Sequence, residues 1–224
     1  MEILCPSFYI TYLSFSISYA MLWGFMEIVL ATRNKKKVEE MSRILEGMDI
    51  VIRTLDDFPS CPEVEEDKDT FEGNAVKKAI SIAECTNKIA VADDSGLEVY
   101  ALNGAPGVMS ARYSGENTGD AANIEKLLDE MRDIPDEKRV ARFVCCIALA
   151  FPAGNFVTFV GFAEGKIGIE PRGRMGFGYD PVFYPAGYGR TFAEMTPGEK
   201  DALSHRGKAI EKLKDYLTRT ISGD

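Results

Sequence analysis

"MEIVLATRNKKK", residues 26–37, is a short apolar run that opens into a basic loop, as the first strand of an α/β domain does. Downstream, Val38, Met41, Ile44, Leu45 and Met48 recur at helical spacing and predict a helix over 38–48. "DIVIRTL", from Asp49, reads as the next strand. A helix is expected from about Thr70 to about Glu84, with Phe71, Ala75, Ala79, Ile80 and Ile82 along it, leading into the strand "KIAVAD". Another is expected over Ala121–Met131. "RVARFVCCIALAF" and "NFVTFVGFAEG", joined by Pro152-Ala153-Gly154, read as an antiparallel hairpin. The fold class is therefore α/β, with helices on a mixed rather than purely parallel sheet.

The 224 residues suffice for one domain with a substantial core. A formal net charge of −9 argues against broad contact with nucleic acid, which takes clustered Lys and Arg, so a phosphate ligand should be small and held locally. Cys5, Cys61, Cys85, Cys145 and Cys146 form no CxxC, and His205 is the one histidine, which leaves little for a Cys/His metal site. They read as reduced, mostly buried thiols in a cytoplasmic protein.

Residues 1–25, "MEILCPSFYITYLSFSISYAMLWGF", carry no charge after Glu2 and are long enough to span a bilayer. They lack the basic start and small-residue cleavage site of a secretory signal. We favour a start codon assigned too early, with Met26 the native start, over a membrane anchor; a mature N-terminus at Met1 would contradict this.

Four stretches could carry chemistry. Thr32, Arg33, Asn34 and Lys35 to Lys37 follow a strand and precede a helix, where anions bind, although the loop has neither P-loop nor dinucleotide-fingerprint glycines and a solvated basic turn reads as well. Asp93, Asp94 and Ser95 come at the predicted end of a strand on the same sheet edge; two adjacent carboxylates suit Mg²⁺, and a plain Asp/Gly turn is the alternative. Glu72 and the "EVEED" run ahead of it could add a carboxylate, or be a solvated face. "RMGFGYDPVFYP", residues 174–185, sets Phe177 and Tyr179 among glycines, as a loop closing on a flat ring would, or as core aromatics in a hairpin.

The fourth is "KDALSHRGKA". Thr196-Pro197-Gly198-Glu199 is a capping box with Pro at the first helical position, so a helix starts there. At about 100° per residue, Lys200, His205 and Arg206 fall near 0°, 140° and 240°, so a shared site requires the helix to break. Ser204 is an N-cap candidate for a second helix, with Ile210, Leu213 and Leu217 toward the sheet.

In their order and spacing, "LATRNKKK", "TFEGNAVKKA", "ADDSGLEV", "GAPGVMSARYSG", "GFGYDPVF" and "EKDALSHRGKA" closely resemble the inosine triphosphate pyrophosphatase family, the HAM1-like noncanonical purine nucleoside triphosphatases. The resemblance runs from Met26 to the C-terminus. It implies an elongated, two-lobed α/β domain over 26–224 that forms homodimers and hydrolyses ITP, dITP and XTP to the monophosphate and pyrophosphate with Mg²⁺. It further implies that Thr32 to Lys37 line the triphosphate, with Asn34 and Lys37 in direct contact. Asp94 would bind Mg²⁺ and activate water, with Ser95 beside the substrate. Phe177, Gly178, Tyr179 and Asp180 would enclose the base, Lys200 would meet phosphate or ribose, and His205 with Arg206 would read the 6-keto oxygen. Two departures stand out: Arg33 replaces the family's Gly, and Gly73 stands where many members carry Glu, leaving Glu72 or Glu65-Glu66 as substitutes. The rival readings are a Maf-like nucleotide pyrophosphatase, separable by a substrate panel, and a sensor that binds without turnover.

Overall fold

The computed structural model describes residues 26–116 and 118–222; the apolar segment 1–25, Cys5 and the question of a native start at Met26 lie outside the described residues. In chain order the regular elements are β1 (Met26–Leu30), α1 (Lys35–Ile44), β2 (Ile50–Thr54), α2 (Phe71–Thr86), β3 (Ile89–Val99), α3 (Gly119–Glu130), β4 (Val140–Ala150), β5 (Phe156–Ile167), β6 (Phe183–Pro185), α4 (Pro197–Leu203) and α5 (His205–Ser222). The sheet order is β2-β1-β3-β4-β5-β6. β1 pairs in parallel with both β2 and β3, and the remaining neighbours are antiparallel, which makes the sheet mixed as expected.

Two boundaries moved for local reasons. α1 begins three residues before Val38 because Asn34 caps it, its side chain accepting from the amides of Lys36 and Lys37. It ends before Met48 because Gly47 takes a φ of 85°. β3 is the larger correction. "KIAVAD" was expected to end at the aspartates, yet the strand runs on to Val99, with Asp93, Asp94 and Ser95 opposite Ile147, Cys146 and Cys145 of β4. On its other side β3 pairs with β1 only through Val91, beyond which the chain leaves as the basic loop. That fork opens the sheet beside the aspartates.

The two faces carry separate cores. Phe71, Ala75, Ala79 and Ile82 of α2 pack on Val29, Ala90, Ala92, Cys146 and Ala148. On the opposite face, Met41 and Leu45 of the α1 region and Ile210, Leu213 and Leu217 of α5 pack on Ile28, Leu30, Val91, Ile147 and Leu149. A third cluster, around Leu97, Leu127, Phe143, Phe183 and Phe192, covers the far ends of the long strands. At 11 or 12 residues each, β3, β4 and β5 span roughly 36 Å, which separates these clusters along the sheet. No helix of the described residues is long and apolar enough to cross a membrane.

The cysteine expectation needs correction. Cys145 and Cys146 are free and buried, but Cys61 and Cys85 form a disulfide across 24 residues, tying the loop before α2 to that helix's last turn. Nothing in their spacing signalled it, since they meet only through tertiary packing. Closing a loop of this size restricts the unfolded chain, so Cys85→Ser should lower unfolding free energy by about 3 kcal/mol. Denaturant unfolding of the oxidised protein and the variant checks this; equal midpoints would mean that the bond adds no stability.

Candidate active site

The fork opens into a cavity of about 820 Å³. Its lining includes Thr32, Arg33, Asn34 and Lys37 from the basic loop, Glu63, Glu65 and Glu66 from the loop before α2, and Lys78 from α2. Asp94 and Ser95 contribute from β3, Phe177 to Asp180 from the glycine-rich loop, and Lys200, His205 and Arg206 from the C-terminal helices. The four stretches singled out in the sequence thus converge, joined by the loop before α2 and by α2 itself. Lys35 and Lys36 do not line the cavity.

At the basic loop, the amides opening α1 favour negative charge. Asn34 spends its carboxamide oxygen on the amides of Lys36 (3.0 Å) and Lys37 (3.3 Å), so only its amide nitrogen is left for a ligand. Arg33 avoids the left-handed region: among the described residues only Asn87 and Asn103 take positive φ without being glycine. Its guanidinium donates to the Cys61 carbonyl at 3.3 Å.

The two aspartates do different things. Successive residues of a strand point to opposite faces, so the continuation of β3 sends Asp93 and Asp94 apart. This overturns the expectation that the pair acts together on one metal. Asp93, fully buried on the α5 face, pairs with Arg206 (2.9 Å) and Lys37, accepts from the Cys145 thiol (3.0 Å), and does not line the cavity. Burial pushes its carboxyl pKa up, but Arg206 and Lys37 outweigh that and hold it well below the usual carboxylate range. Asp94 faces α2, where the Asn74 amide donates to it at 3.1 Å and Lys78 stands 3.5 Å away. Here burial prevails over Lys78 and raises the carboxyl above its ordinary value. A buried, proton-seeking carboxylate therefore faces the cavity beside a structural one.

α4 stops at Leu203 and α5 starts at His205, with the Ser204 hydroxyl accepting from the Gly207 amide at 3.0 Å. The break brings all three expected side chains to the cavity. Lys200 pairs with Glu40 (2.7 Å) and Asp180 (2.6 Å). Arg206 donates to Glu40 (2.5 Å), Asp93 (2.9 Å) and Ser95 (2.8 Å). Gly161 on β5 permits the approach of α5, since a Cβ there would lie 2.1 Å from the His205 carbonyl oxygen. His205 is 4% exposed and stacks on Phe143, ring centroids 4.6 Å apart. Its Nδ1 has no hydrogen-bond partner among the described residues. Burial first, then Arg206 and Lys200, depress its pKa, so the ring stays neutral at pH 7, one nitrogen donating and the other accepting. The imidazole signal of this single histidine should hold its neutral-form NMR shift from pH 8 down through the ordinary value of about 6.5. A titration near 6.5 would contradict this environment.

In the glycine-rich loop, Asp180 is buried and accepts from the Phe177 amide at 2.9 Å, while the Tyr179 hydroxyl donates to the Ser110 carbonyl at 2.9 Å. Tyr179 thus joins the core beneath the loop. Phe177 presents its ring to Lys200 (4.9 Å) and Arg206 (5.5 Å).

Three further groups were missed in the sequence: Asn74, Lys78 and Glu40. Asn74 and Lys78 interrupt the buried stripe Phe71-Asn74-Ala75-Lys78-Ala79-Ile82. A polar pair on the apolar face was the signal available. Glu40 sits beside Met41 on the buried side of α1 and bridges Lys200 and Arg206. Glu72 belongs elsewhere: it does not line the cavity, and its carboxylate accepts from Thr158 at 2.9 Å. Glu66 is the acid brought near Asp94, since Lys78 pairs with both. Among the described residues, no three His, Cys, Asp or Glu side chains converge as a ready-made metal cage.

The sheet fork, the basic helix start and the raised Asp94 carboxylate in one cavity define an α/β protein built to hold a small phosphorylated ligand. The chain belongs to the Ham1 family, whose profile matches residues 28–216. A dITP/XTP pyrophosphatase of Geobacter sulfurreducens is 53% identical over 190 residues, covering 85% of this chain and 96% of that protein. One of Bacillus cereus is 47% identical over 200 residues, covering 88% and 98%. Among solved structures, a HAM1 protein from Coxiella burnetii matches with a TM-score of 0.80 at 45% identity, covering 87% of this chain and 99% of that one.

Proposed function

We propose that the protein hydrolyses deaminated purine nucleoside triphosphates, dITP, XTP and ITP, to the monophosphate and pyrophosphate. The observation that carries this reading is Asp94: a buried carboxylate with a raised pKa, set between Asn74 and Lys78 and facing the cavity that α1 opens into. The 53% identity to a relative named for this activity supports it.

The triphosphate lies along Thr32 to Lys37, with the positive end of α1 and Lys37 facing it and Lys200 on its other side. Asp94 holds the attacking water and takes its proton, and its raised pKa makes it a stronger base than an ordinary aspartate. Ser95 meets the substrate from the opposite strand face, where it bonds Asp93 and Arg206. Phe177 offers the face on which the base stacks, enclosed by Gly178, Tyr179 and Asp180. His205 supplies a donor to the 6-keto oxygen, and Arg206, most of its N–H groups engaged, can add one more. Adenine places an amino group where those donors point, so both sides stay unpaired, a costly mismatch in a buried site.

Mg²⁺ fits this donor set. Lys37, Lys78, Lys200 and Arg206 already have carboxylate partners, so a triphosphate brings charge that they only partly offset. Asp94 and Glu66 would hold the ion together with phosphate oxygens. When bound, it would neutralise the phosphates and favour departure of pyrophosphate. The same proposal makes residues 26–224 one two-lobed domain with the cavity between the lobes, acting as a homodimer in the cytoplasm, where a Cys61–Cys85 disulfide would be unusual.

Pyrophosphate release from dITP, XTP, ITP, ATP, GTP and methylated pyrimidine triphosphates, each with Mg²⁺ and with a chelator, tests the reading. Selective, chelator-sensitive release from the 6-keto substrates is expected. Preference for pyrimidines, or ITP binding without turnover, would replace it.

A further inference from the structure

We propose that Asp120, at the start of α3, is a positioning residue that fixes Phe177 at the height from which it meets the base; the proposal rests on the function assigned above. Gly176 and Gly178 take φ values of 75° and 59°, so Phe177 stands on a knuckle between two residues in a conformation that other side chains rarely adopt. Below the knuckle the chain is anchored: Tyr179 and Asp180 are buried, and their bonds to Ser110 and Lys200 hold them. The Phe177 carbonyl accepts from the Asp180 amide at 3.2 Å, and two amides of the knuckle donate to carboxylates. The Phe177 amide donates to Asp180, within the same loop, and the Gly178 amide donates to Asp120 at 2.8 Å, 58 residues away.

Asp120 also stands 3.6 Å from Lys36 of α1, whose ammonium lies 5.6 Å from the Phe177 ring centroid. One carboxylate of α3 therefore contacts both the aromatic loop, at Gly178, and Lys36 of α1. This accounts for an acid in a cavity built for a polyanion, because its charge is directed at Lys36 and its lone pair at Gly178. The contact with Lys36 is half exposed and weak, so the bond to Gly178 carries the effect.

Replacement variants separate the two contributions. Asp120→Asn keeps an oxygen for the Gly178 amide and loses only the charge; Asp120→Ala loses both. With dITP, Asp120→Ala is expected to raise KM about tenfold with kcat within about twofold, and Asp120→Asn to stay within about threefold of the parent KM. Amide hydrogen exchange of the segment 174–184, measured without substrate, should quicken in Asp120→Ala and stay near parental in Asp120→Asn. An unchanged KM in Asp120→Ala, a fall in kcat with KM unchanged, or faster exchange spread along α3 would overturn the proposal. If the parent protein hydrolyses none of the purine triphosphates, the function assigned above fails, and the exchange experiment still decides whether Asp120 holds the loop.

Discussion

Asp94→Asn is expected to lower kcat on dITP by roughly three orders of magnitude, the scale lost when a positioned general base is removed. The fold should survive. Asparagine is nearly isosteric and can still accept from Asn74, and Lys78 keeps Glu66 as a partner. Stability supplies a second signature. Because the Asp94 carboxyl is raised in the fold, its ionised form opposes folding; the stability it gives by binding a proton is present at low pH and lost as pH rises through its folded value. The variant should therefore match or exceed the parent's Tm at neutral pH in metal-free buffer, an advantage that fades below about pH 4, where the parent's aspartate is protonated in both states. Near-parental turnover would remove Asp94 from its assigned role.

Arg206→Met should produce the largest loss of stability. Arg206 is 2% exposed and holds two buried carboxylates, Asp93 and Glu40. Removing it leaves them only Lys37 and Lys200, and breaking a buried ion pair from one side costs about 3–5 kcal/mol. For a domain of this size that is a fall in Tm of about 10 °C. The sign with pH follows from Asp93. Burial raises its carboxyl, but Arg206 and Lys37 hold it well below the usual range, so its stabilising contribution exists above the unfolded value and disappears as pH falls through the folded one. The variant's deficit should thus be greatest near neutrality and shrink on acidification. A Tm within about 3 °C of the parent at pH 7 would mean that the guanidinium is not the counter-charge the structure makes it.

Much of the scaffold was legible in the sequence because its signals are local. Apolar runs alternating with helical stripes gave the α/β order, the Pro152-Ala153-Gly154 turn gave the hairpin, and the capping box at Thr196 with Ser204 gave a broken C-terminal helix. The site was less legible where local chemistry and tertiary contact disagree. In "DDSG" the glycine favoured a strand ending at the aspartates, with an Asp/Gly turn as one alternative. In the fold Gly96 is a mid-strand residue that has no room for a Cβ, which would lie 2.4 Å from the Ser110 hydroxyl and 2.5 Å from the Gly107 carbonyl. Once the strand continues, Asp93 and Asp94 must part, one to the ion-pair network and one to the cavity. Glu72 was the nearest acid in sequence to the expected position, yet near an exposed helix start it turns toward Thr158, while Glu66 arrives from a loop whose path no periodicity records. The Cys61–Cys85 bond was invisible for the same reason.

The central claim is that Asp94 directs water onto the α-phosphorus of a deaminated purine triphosphate. Hydrolysis of dITP in water enriched in heavy oxygen, with both products analysed by mass, tests it most directly. The account predicts dIMP and pyrophosphate, with the label in dIMP. Label in pyrophosphate, or release of orthophosphate and the diphosphate, would contradict it.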